Sequence, residues 1–156
     1  MEPDKTPELP AQVWTMMQET LGYNEEEIEQ FRQNPRNVKV VSKAMEMRAK
    51  TFVFEVVKSK GCLAGHKEGT KVFFTGNGLL ISKWAPPRIC TYALPMMTQM
   101  IFAMQELIYA GVDPNELCFN RAGCFDVGLK CGGWGNVVIE GRVLDREAAK
   151  ALAQQD

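Results

Sequence analysis

The chain has 156 residues, 46% of them hydrophobic and 24% charged, which is the profile of a globular domain able to bury a core without staples. Eight acids and one base fall in the first thirty residues, leaving 17 bases against 11 acids in the rest with no dense basic run, so a nucleic-acid partner is not expected. The start, Met1 to Pro10, carries Glu2, Asp4 and Glu8 and has neither a basic nor an apolar signal segment. The most apolar stretch, Leu94 to Met104, contains Gln99 and is too short to span a bilayer, so no membrane partner and a cytoplasmic location are expected.

Residues 1–10 read as a flexible tail, and a helical arm is expected over 11–48. Val13, Met16, Met17 and Leu21 recur at helical spacing with Trp14 beside them, and Gly22 stands where that helix ends. Asn24 and Glu27 form the pattern of a capping box, with Tyr23 and Ile28 at the staple positions of a second helix. After Asn34-Pro35, Val38, Val41 and Met45 predict a third helix to about Met47.

A core domain is expected over 49–143. Phe52, Phe54 and Val56 alternate with Val53, Glu55 and Val57, which predicts a strand from Thr51. Val72 to Phe74, the Gly76-Asn77 turn and Leu79 to Ile81 read as an antiparallel hairpin. Met97, Met100, Ile101, Met104 and Ile108 mark a long core helix from about Leu94 to Ala110, closed by Gly111. Phe125 to Leu129 and Val137 to Glu140 read as further strands, and Asp145 as the cap of a C-terminal helix within a 144–156 tail. The fold expected is α+β: an N-terminal helical arm on a small antiparallel sheet covered by one long central helix.

Five cysteines, an odd number, in a reducing compartment are read as thiols or ligands rather than a disulfide framework. Cys62 and His66, the only histidine, lie four residues apart among glycines and could reach one ion. Cys90 precedes the central helix, where the dipole and Arg88 favour a thiolate. The segment Cys124 to Gly135 packs two thiols, Asp126, Trp134 and four glycines into twelve residues. Its Gly132 and Gly133 amides are candidates for an anion or cofactor, and Asp126 for a general base, a partner orienting His66 or a turn residue. Cys118 has the weakest claim.

The segment Gly61-Cys62-Leu63-Ala64-Gly65-His66-Lys67-Glu68-Gly69, then Ile89-Cys90 leading into an apolar helix, then Cys131 before a final strand, resembles a family of small conserved hypothetical proteins of bacteria and archaea, many from anaerobes. The resemblance covers about Lys50 to Arg142. It implies that Cys62, Cys90 and Cys131 are recurring thiols and Cys118 incidental, while His66 matches some members only. The helical arm is an addition to the shortest members, and Cys124-Phe125-Asp126 stands outside their common pattern.

The leading expectation is a metal-binding protein holding zinc or an iron–sulfur cluster on Cys62, Cys90 and Cys131, completed by His66 or Cys124, and catalytic if a coordination position is open. Two alternatives come from other classes. One is a metal-free enzyme with a Cys90 thiolate, His66 as acid–base partner and the Gly132-Gly133 amides as anion hole. The other is an accessory subunit whose acidic arm docks on a larger protein. A small molecule, a partner protein or a second copy of the chain are the partners considered.

Overall fold

The computed structural model describes residues 8–155, and the chain divides into two compact units that meet at residues 45 and 46. Most of the expected tail, residues 1–7, lies outside the described residues.

The first unit contains α1 (Ala11–Leu21), α2 (Glu25–Gln33) and α3 (Pro35–Ser42). Gly22 closes α1 in the left-handed conformation that glycine adopts without a Cβ penalty. The capping box of α2 forms as expected: Glu27 N–H donates to Asn24 Oδ1 at 2.9 Å and Asn24 N–H to Glu27 Oε2 at 2.8 Å. Trp14, Ile28, Val38 and Val41 bury together as the core of this unit. The predicted third helix is two helices, because α3 ends at Ser42 and α4 (Ala44–Arg48) follows after Lys43. Ser42 Oγ donates to the Lys39 carbonyl at 2.6 Å, a local bond of the kind that competes with helix propagation.

In the second unit, β1 (Lys50–Lys60), β2 (Lys71–Thr75), β3 (Arg121–Gly123) and β4 (Asn136–Asp145) form one antiparallel sheet in the order β2-β1-β4-β3. The α+β class is therefore established. Alternation along β1 sends Phe52, Phe54 and Val56 to one face, opposite Phe74 and Val72 of β2 and Val143 and Ile139 of β4. The long helix α5 (Leu94–Ala110) lays Met97, Met100, Ile101, Met104 and Ile108 on that face. The stripe read from the sequence is thus the core stripe, and Glu106 is exposed on the outer side. Gly141 faces Phe54 across the ladder, where a Cβ would lie 2.8 Å from Phe54 Cε1 and 3.0 Å from Met100 Sδ, so only glycine fits under α5.

The sheet is covered on its second face too. There Val53 and Phe73 bury against Ala149 of α6 (Arg146–Ala153), with Leu144, Leu152, Ile81 and Trp84 around them. Asp145 precedes α6, but its carboxylate makes no cap bond and instead pairs with Lys50 Nζ at 3.0 Å.

Two predicted strands differ. The turn at Gly76-Asn77 forms, with Gly78 N–H donating to the Thr75 carbonyl, yet the return segment makes only the single bridge Phe74–Leu80 before a 3-10 turn at Ser82–Trp84. Phe125 to Leu129 is not a strand: the edge strand that pairs with β4 opposite β1 is the shorter Arg121–Gly123, and the following residues form a loop organised by Asp126. A β-bulge at Val57, between Val56 and Lys58, lets β1 continue to Lys60 beside Asn136 and brings both strand ends to the same edge as that loop.

Candidate functional site: a thiol-lined cleft

Three loops meet at the edge of the sheet where β1 ends: the one after β1, the one before α5 and the one joining β3 to β4. Each is tied to another by backbone contacts. The Gly61 and Gly135 backbones press together, and a Cβ on Gly61 would sit 3.0 Å from the Trp134 carbonyl oxygen. His66 is buried, at 7% exposure, and its Nε2 accepts the backbone N–H of Cys90 at 3.2 Å. Phe125 N–H donates to the Tyr92 carbonyl at 3.0 Å.

The loops enclose a cleft of about 590 Å3. Cys62, Cys90 and Cys124 form its inner wall, half-buried against the hydrophobic core, while Leu63, Tyr92, Phe125, Val127 and Trp134 stand exposed around it. Cys124 is held at both ends of its thiol: Val137 N–H donates to Sγ at 3.4 Å, and Sγ lies 3.8 Å from the Asp126 carbonyl oxygen.

Asp126 organises the loop. Its carboxylate accepts the amides of Gly128 at 3.0 Å, Trp134 at 3.1 Å and Gly135 at 3.2 Å. Hydrogen bonds from Gly128 first, then from Gly135, hold its carboxyl below the usual 3.8, with Trp134 adding to them and burial opposing. A group so held is ionised at neutral pH and has both oxygens engaged, which suits an anchor better than a proton carrier. Gly133 sits where a Cβ would collide with the same Asp126 oxygen, so glycine there serves the clamp.

Other expected roles change in the same way. The amides of Gly132 and Gly133 donate to the carbonyls of Leu129 and Gly128, so neither forms an anion hole. His66 is not oriented by Asp126. With Nε2 occupied by an N–H, its lone pair is not open to the Cys90 thiol proton, and burial lowers its pKa below the usual 6.5, keeping the ring neutral. Ahead of α5, the amides of Ala93 and Leu94 turn to the Cys90 carbonyl rather than to its sulfur.

Of the five thiols, the cleft gathers Cys62, Cys90 and Cys124; Cys131 lies exposed in the 3-10 turn Leu129–Cys131 and Cys118 is exposed as well. Cys124 thus occupies the place expected of Cys131, since only Cys124 adjoins the end of β3 and packs on the core. Among the described residues, no group of three or more His, Cys, Asp or Glu side chains is placed to hold a metal ion. Sequence reasoning passed over Tyr92 and the exposed Leu63 and Val127; the available signal was a set of apolar residues lying outside any periodic element yet flanking the cysteines. Among the described residues no helix is long and apolar enough to cross a membrane.

No protein-family model, curated protein or solved structure matches the chain.

Proposed function

We propose that this protein binds a small molecule with a largely apolar surface in the cleft at the end of β1, with the Cys62 and Cys90 thiols on the inner wall as the groups that meet it. The observation that carries this reading is the convergence of three half-buried thiols and three exposed aromatic rings, from three separate loops, on one cavity of about 590 Å3. That volume and largely apolar lining suit a small-molecule ligand. Binding is favoured over acid–base catalysis because Asp126 spends its oxygens on three amides and His66 spends Nε2 on Cys90. A metal centre on Cys62, Cys90 and Cys131 has less support, since Cys131 lies outside the cleft lining.

The test uses the uncharged fluorescent dye N-phenyl-1-naphthylamine, titrated into the full chain, and iodoacetamide labelling mapped by mass spectrometry. Saturable enhancement of dye emission, with labelling of Cys62 and Cys90 slowed at least fivefold while Cys118 and Cys131 label unchanged, is the expected result. Labelling of Cys62 and Cys90 that ignores saturating dye, or the absence of saturable binding, overturns the reading.

A further inference from the structure

The charge and ring content of the cleft narrow its ligand further, on the basis of the binding role just proposed. Tyr92, Phe125 and Trp134 are 57%, 72% and 75% exposed, an unusual amount of bare aromatic surface to gather at one cavity. The Tyr92 and Phe125 rings lie 6.4 Å apart and tilted by 47°, so they meet at an angle and do not stack flat on one another. All three rings line the cleft with more than half of their surface uncovered, and an aromatic face carries the negative end of the ring quadrupole.

Charge points the same way. Among the described residues, no lysine, arginine or histidine lines the cleft, and the one charged side chain there is Asp126. The three amides that fix Asp126 keep its carboxylate ionised while leaving the formal charge in place, so the lining carries one negative charge and no cationic side chain to balance it. An anionic ligand would meet that charge and the ring faces together. An organic cation with methyl or methylene groups on nitrogen satisfies both: its apolar skin is desolvated at low cost against thiols and rings, and its charge is attracted by the ring faces and the carboxylate. A primary ammonium, strongly hydrated and needing three acceptors, finds few here, because the Asp126 oxygens are already shared with backbone amides.

We infer that the cleft is an aromatic cage for a free small alkylated ammonium compound, held by Tyr92, Phe125 and Trp134 beside Asp126.

Choline and its uncharged isostere 3,3-dimethyl-1-butanol separate charge from shape, and both are titrated by calorimetry into the full chain. Choline is expected to bind at least tenfold more tightly than the alcohol, with 3,3-dimethylbutanoate weaker than either. Trp134→Leu, which keeps apolar bulk and loses the indole face, should lower choline affinity at least fivefold more than it lowers that of the alcohol, with the circular dichroism spectrum unchanged. Equal affinity of choline and the alcohol, tighter binding of the carboxylate, or binding to phosphatidylcholine vesicles without affinity for free choline overturns the inference. If N-phenyl-1-naphthylamine still binds and protects Cys62 and Cys90, only the cation preference has failed; if the dye fails too, the cleft reading falls with it.

Discussion

The backbone N–H of Cys90 donates to Nε2 of His66, 24 residues earlier in the chain, at 3.2 Å. This bond joins the loop after β1 to the segment before α5 and fixes the side of the cleft on which Cys62 and Cys90 lie. It requires the neutral imidazole, because a protonated ring has no lone pair to offer.

Stability should therefore depend on pH through His66. Its folded pKa is lowered below 6.5 by burial, so on acidification the unfolded chain takes up the proton first. The contribution is fully present above about pH 6.5 and is lost as pH falls from there through the folded pKa. Thermal unfolding between pH 7.5 and 5 should show Tm falling with pH in wild type and a flatter profile in His66→Gln. His66→Ala should cost about 1–3 kcal/mol at pH 7.5 through the stranded Cys90 amide. Parallel pH profiles for wild type and His66→Gln would remove His66 from this role.

Asp126→Asn is predicted to loosen the loop from Cys124 to Asn136 without unfolding the sheet, because one amide-accepting oxygen is replaced by a donor facing other donors. Hydrogen exchange at the Gly128, Trp134 and Gly135 amides should quicken about tenfold or more, while amides in the middle of β1 keep their protection. In wild type the clamp should persist down to about pH 4, since the lowered carboxyl pKa keeps its stabilisation until pH falls through that folded value. Unchanged exchange in the variant would show that the loop is held by something else.

Gly141→Ala tests the packing that places α5 over the sheet. The added methyl meets Phe54 and the thioethers of Met100 and Met104, and overpacking of this kind costs about 1–3 kcal/mol. A denaturant midpoint shifted downward with an unchanged m value is expected. Met104→Ala, at a side chain with no exposed surface, should cost about 2–5 kcal/mol by leaving a cavity in the same place. Neutral behaviour of both variants would contradict the contact between α5 and the face carrying Phe54.

Metal and acid-labile sulfide analysis, on protein purified without oxygen and without a metal-binding tag, should find no stoichiometric zinc or iron. Stoichiometric metal that is lost in Cys62→Ser or Cys90→Ser would replace the small-molecule reading with a thiolate centre.

The parts of this fold that were readable from sequence are those whose cause is local. Asn24 and Glu27 satisfy each other three residues apart, Gly22 and Gly111 end helices through their own backbone freedom, and the methionines of α5 report their burial by a 3.6-residue period. Where a side-chain bond competes with the backbone's strand preference, the pattern misleads. Phe125 to Leu129 has strand-like composition, but Asp126 draws the amides of residues 128, 134 and 135 onto one carboxylate, and a loop results.

Residue types and spacing alone determined the α+β class, the core stripe of α5 and the concentration of chemistry in three cysteine-bearing segments. Only the tertiary structure decided that Cys124 rather than Cys131 joins Cys62 and Cys90, that His66 and Asp126 are anchors, and that aromatic rings frame the cleft. The physical reason is the range of the interactions. A period or a cap reports on atoms within a few residues, whereas the cleft is set by the Gly61–Gly135 approach, the Cys90–His66 bond and the Phe125–Tyr92 bond, which join distant segments and leave no periodic trace in the chain.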